Sequence, residues 1–146
     1  MRKILFVLFA IGFLALYFGH RASADQPAAF KVIVNSKVTG KAIPKDVLAQ
    51  IYLGKVKRWG DGRPISAVEL SSTSPVRESF SGAVLGMPVA GVQRYWMQML
   101  AAGGRPHVTR QSDEDVIAFV ATEPGGIGYV SETTAVPETV RLVAVQ

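Results

Sequence analysis

The chain has 146 residues, 49% of them hydrophobic, with 16 Lys and Arg against 11 Asp and Glu, a formal net charge of +5, and no cysteine. The missing cysteines exclude disulfide stapling, thiolate metal sites and thiol catalysis, so stability has to come from an apolar core.

In chain order, Arg2 and Lys3 precede an apolar or small stretch from Ile4 to Phe18, and Ala22-Ser23-Ala24 forms a small-x-small cleavage site. That is the pattern of a secretory signal over 1–24, with cleavage before Asp25. A retained membrane anchor is the alternative, but the stretch falls short of the about 20 apolar residues a spanning helix needs. The expected location is periplasmic or otherwise exported. Cleavage leaves 25–146, the size of one ordinary domain. Arg2, Lys3 and Arg21 depart with the leader, so 13 basic residues then face 11 acidic ones, a net of +2. The remaining basic residues cluster at Lys37, Lys41 and Lys45 and at Lys55, Lys57, Arg58 and Arg63. Such clusters either raise the local potential for an anion or an acidic surface, or form a solvated face. Export and the lack of a recognisable binding module argue against nucleic acid as a partner.

Phe30 to Asn35 is a β-branched run that predicts a buried strand, followed by a turn from Ser36 to Lys41. Pro44 suits a first helical position, and Val47, Leu48, Ile51 and Tyr52 repeat with helical spacing. Gly54 stands where a left-handed cap ends such a helix. In the loop from Lys55 to Pro64, Trp59 is expected to pack over the helix end while Gly60-Asp61-Gly62 reverses the chain. Ile65 to Leu70 predicts a second strand. Ser74 is a good N-cap and Pro75 a good first residue for a helix with Val76, Phe80, Val84 and Leu85 on one face. Gly86 and Pro88 break it. A further helix carries Val92, Tyr95, Trp96, Met99 and Leu100 as core up to Gly103-Gly104, and Ser112 caps another, with Val116, Ile117, Phe119 and Val120 as its buried residues. Gly125 to Val130 is a turn into a strand, and Thr139 to Val145 is the last strand. Strands alternating with helices predict an α/β domain of three layers, with a mixed or mainly parallel sheet flanked by helices.

Two segments carry a resemblance. Leu53-Gly54-Lys55 with Trp59-Gly60-Asp61-Gly62, then Phe80 and Trp96, then Gly125-Gly126-Ile127-Gly128-Tyr129-Val130 occur in an order that resembles the C-terminal lobe of the periplasmic substrate-binding proteins of phosphate ABC transporters. The likeness runs over nearly all of Lys31 to Val145 and implies a single periplasmic-binding-protein-like lobe. It further implies phosphate or a similar oxyanion as ligand, ion transport as the context, no catalysis and no cofactor.

The expected ligand-binding residues are Ser71, Ser72, Thr73, Ser74 and Arg77. A strand that ends in hydroxyl residues and enters a helix at Ser74-Pro75 offers hydroxyl and backbone N–H donors beside the positive end of a helix dipole. Arg77, on the first turn, adds a fork of donors. In the resembling family this junction carries a Ser-Gly-Thr segment preceded by an arginine and an aspartate. Aligned here, the segment falls near Ser74, Pro75 and Val76, the arginine near Leu70 and the aspartate near Ser72. Pro75 has no N–H to give. The competing reading makes Ser74 a plain helix cap and Arg77 a surface residue. The anion-site reading predicts that Arg77→Ala abolishes anion binding and leaves the fold intact.

Other chemistry lacks its parts. His107 has no Gly-x-Ser-x-Gly elbow to serve, no set of His and carboxylates has metal-ligand spacing, and the Gly125-Gly126 turn lacks a Walker lysine. The chain is therefore expected to be neither an enzyme nor a metalloprotein. Two functions remain in view: oxyanion binding in transport or sensing, with a membrane transporter, a sensor or a second copy as partner, or a protein-interaction module that keeps the fold without the ligand.

Overall fold

The computed structural model describes residues 28–146. The expected leader lies outside the described residues. Among them, six strands, β1 (Phe30–Asn35), β2 (Ala42–Ile43), β3 (Ser66–Leu70), β4 (Val108–Arg110), β5 (Gly126–Ser131) and β6 (Val140–Val145), form one sheet in the order β2-β6-β1-β5-β3-β4. β1 runs antiparallel to both of its neighbours, β5 and β6, while β3 runs parallel to β4 and β5, and β2 parallel to β6. The sheet is therefore mixed, as the alternation of elements predicts. Four α-helices cover it: α1 (Lys45–Tyr52), α2 (Pro75–Phe80), α3 (Val89–Ala101) and α4 (Asp113–Thr122), with a π-helical turn at Ser81–Leu85 continuing α2.

Both faces of β1 are covered, which explains why its sequence is a continuous β-branched run rather than an alternating one. Val32, Ile33 and Val34 are all at most 1% exposed, and full burial of each such side chain stabilises the fold by roughly 1.5–3 kcal/mol. On one face, Val116 and Val120 of α4 press on Gly128 and Val68. On the other, Tyr129 of β5 stacks on Phe80 of α2, with ring centroids 3.9 Å apart, and meets Tyr52 of α1 at 5.7 Å. These are the three layers.

Two of the motifs that carry the resemblance, the Trp59 loop and the Gly125 turn, meet in one latch. The indole Nε1 of Trp59 donates to the carbonyl of Gly125 at 3.0 Å, and Ser66 N donates to the same oxygen at 3.0 Å. Arg63 Nη1 donates to the carbonyl of Pro124 at 3.0 Å. A Cβ on Gly125 would stand 1.9 Å from the carbonyl oxygen of Pro64, so this approach requires glycine. Gly54, with φ of 69°, takes the left-handed position that ends α1. Pro44 stands at the N-cap of α1 rather than inside it.

Three expectations need correction. β2 and β4 are strands too short for a pattern to declare, and both form edges of the sheet. In α3, Val92 and Trp96 are buried, but Leu100 is 52% and Met97 69% exposed, so the apolar stripe is only partly core. In α4, Val116 and Val120 are buried, whereas Ile117 and Phe119 are half-buried. α3 is tied at one side, where Tyr95 Oη donates to the carbonyl of Leu53 at 2.7 Å, and Trp96 lies against Gly54.

Candidate functional site

A cleft of about 540 Å³ opens between α3 and the β3–β4 edge of the sheet, near the start of α2. Glu69 and Thr109 are register partners on β3 and β4, so their side chains share the face that forms the floor, and Ser71 and Gln111 extend it two residues on. The roof is one stripe of α3: Gln93, Trp96, Met97 and Leu100 lie at i, i+3, i+4 and i+7. Pro106 and His107 close one end. The cleft lies at the carboxyl end of parallel strands, where open α/β sheets place ligands.

At its floor sits a buried ion pair. Arg77 Nη2 donates to Glu69 Oε2 at 2.5 Å, and Arg77 Nη1 donates to the carbonyl of Leu70 at 2.8 Å. Arg77 is 7% and Glu69 4% exposed. The surface-residue reading of Arg77 is thereby overturned, and so is the expectation that Arg77→Ala leaves the fold intact, because it would strand a buried carboxylate. Burial pushes the Glu69 carboxyl up from its ordinary value of 4.5, against the downward pull of Arg77. Tyr129 Oη is buried near this pair. Burial raises its pKa, and the Glu69 charge adds to the rise.

The other four residues named from sequence lie at the junction as expected, but most of their backbone donors are already used. Ser71 N donates to the carbonyl of Arg110 at 2.9 Å, Ser74 N to that of Ser71 at 2.9 Å, and Thr73 N to Ser71 Oγ at 3.5 Å. Ser74 caps α2 by accepting from Arg77 N at 3.4 Å. Among the described residues, the N–H groups of Ser72 and Val76 are left without a partner. Ser71, Ser72 and Arg77 line the cleft; Thr73 and Ser74 stand outside its lining.

Sequence reasoning missed Glu69, Gln93, Thr109 and Gln111. Glu69 was findable in principle, since a lone acid in an apolar strand needs a cation, and Arg77 is eight residues away. The other three depend on the position of α3 and on β4, which no local pattern announces. His107 is a packing residue. Its Nε2 donates to the carbonyl of Tyr52 at 3.1 Å, and its ring makes edge contacts with Tyr52 and Trp96, centroids 5.5 and 5.2 Å away. Burial lowers its pKa from 6.5, the Arg77 charge acts in the same direction, and its backbone hydrogen bonds oppose them.

No family model and no curated protein matches this sequence. Solved structures do match in fold. An ABC-type phosphate transport receptor from Vibrio cholerae aligns with a TM-score of 0.63 at 16% identity, over 81% of this chain and 46% of its own. A phosphate ABC transporter substrate-binding protein from Clostridium perfringens, solved with bound phosphate, gives 0.65 at 18%, over 81% and 45%. PstS from Borrelia burgdorferi gives 0.65 at 18%, over 82% and 47%. None of the three bears an enzyme's name. This chain therefore spans under half the length of the receptors it matches and has the fold of a single lobe of such a protein.

Proposed function

We propose that this domain binds a phosphate-like oxyanion, without catalysis, in the cleft between α3 and the β3–β4 edge, as an exported component of uptake or sensing. The observation that carries the reading is Arg77 in the floor of that cleft beside the Ser71 and Ser72 hydroxyls, in a fold shared with phosphate receptors. A guanidinium has five N–H donors. Glu69 and Leu70 engage two of its nitrogens, so donors remain for a ligand oxygen.

Two features keep the affinity low. Glu69 neutralises the only cation among the described residues of the cleft lining, and a single open lobe leaves an anion solvated, where each charged contact is weak. A partner that closes the cleft, such as a second copy or a membrane transporter or sensor, would strengthen binding by excluding water.

The second reading is a protein-interaction module. It is favoured by the exposed apolar residues Met97 and Leu100 in the lining of the same cleft. Calorimetric titration of phosphate, with sulfate as control, separates the two. Saturable, phosphate-selective heat that strengthens in Glu69→Gln, where Arg77 loses its competing carboxylate, supports the oxyanion reading. No heat up to millimolar phosphate in either protein, far above the micromolar range of useful receptors, would turn the assignment to a protein partner.

A further inference from the structure

The lining of the cleft is two-sided in a way that bare phosphate does not use. Its floor is polar and carries the Glu69–Arg77 pair with Ser71, Thr109 and Gln111, while its roof is the apolar stripe of Trp96, Met97 and Leu100. The volume of about 540 Å³ falls in the range of pockets that hold organic ligands, roughly 300–1,000 Å³. A tetrahedral anion of five heavy atoms would sit on the floor and leave the roof wet. Met97 and Leu100 are also among the most exposed large apolar side chains described, at 69% and 52%. Trp96, which lines the cleft, has a buried indole N–H with no hydrogen-bond partner among the described residues.

Resting on the oxyanion reading above, we infer that the ligand is an organic oxyanion: a phosphonate, phosphate ester or similar acid whose head lies on the Arg77 floor and whose aromatic or aliphatic body lies under α3. The head has the same chemistry as phosphate, so Arg77 and the Ser71 and Ser72 hydroxyls serve it. The body displaces water from Met97 and Leu100, and the gain from that burial is independent of charge. It offsets the weakness of an anion site whose cation is already paired. Selectivity then follows from the roof: inorganic phosphate gains nothing there, and a neutral aromatic gains nothing on the floor.

Calorimetry on the purified protein with inorganic phosphate, phenylphosphonate and benzyl alcohol tests this. Phenylphosphonate is expected to bind at least about tenfold more tightly than phosphate, the effect of withdrawing part of one phenyl ring from water. Benzyl alcohol is expected to give no saturable heat. Met97→Ser and Leu100→Ser, both at exposed positions that leave the core untouched, should weaken phenylphosphonate several-fold and leave phosphate binding unchanged. Equal affinity for the two anions, or phenylphosphonate binding indifferent to both substitutions, overturns the organic-ligand assignment while the oxyanion site stands. Absence of binding by either anion overturns the oxyanion reading and this inference with it.

Discussion

Replacing Arg77 by Met should cost far more stability than an ordinary surface change. Its partner Glu69 is 4% exposed and receives a 2.5 Å hydrogen bond from the guanidinium. Removing one member of a buried pair strands the other charge and typically costs 3–5 kcal/mol. For a domain of this size, that corresponds to a fall in Tm of roughly 10–20 °C. Changing Glu69 to Met as well should recover most of the loss, because two apolar side chains of similar length need no solvation. The penalty of the single variant should also depend on pH with a defined sign. Burial raises the Glu69 carboxyl above its ordinary 4.5, and Arg77 is what holds it down. Without Arg77 it rises further, so the favourable contribution of the protonated form is fully present below 4.5 and is lost as pH climbs through the folded value. Thermal unfolding of the four proteins of the cycle at pH 4 and pH 7 measures all of this. A single-variant loss under about 1 kcal/mol at neutral pH, or a double variant no better than the sum of its parts, would refute the burial and pairing of these two groups.

Three further outcomes follow from the same structure. Gly125→Ala places a methyl 1.9 Å from the Pro64 carbonyl oxygen; the protein should fail to fold or lose at least about 3 kcal/mol, as read by denaturant midpoint. Trp59→Phe keeps an aromatic side chain but deletes one of the two donors to the Gly125 carbonyl, which still accepts from Ser66 N, and should cost about 0.5–1.5 kcal/mol for the lost hydrogen bond, measured in the same assay. His107 has its pKa lowered from 6.5 by burial, so the stability it contributes is present above 6.5 and lost as pH falls through the folded value. A pH series of Tm from 7.5 to 4.5 should show that decline in the native protein and a flatter curve in His107→Gln.

The parts of the fold that are legible in sequence are those fixed by local pattern. β1 shows as Val32-Ile33-Val34 because both its faces are covered, and α1 ends at Gly54 because the backbone there is left-handed. Gly125 and Trp59, which help carry the family likeness, are legible for a related reason: each answers a steric or hydrogen-bonding demand of the latch they form, a demand of the fold rather than of the ligand. That is why the resemblance predicts the architecture better than the site. The site depends on contacts between distant segments. Thr109 and Gln111 join it only because three residues of β4 pair with β3, and Leu100 joins the cleft instead of the core because α3 stands off the sheet edge. Arg77 was singled out by its place in α2, but its burial follows from Glu69, whose side chain faces the same interior.

The central claim is the location of the oxyanion site, and amide chemical-shift mapping during a phosphate titration tests it most directly. Binding in the cleft predicts saturable shifts concentrated at Ser71, Ser72, Arg77, Thr109 and Gln111. Shifts confined to Lys37, Lys41 and Lys45, or spread evenly over the basic residues, would contradict it.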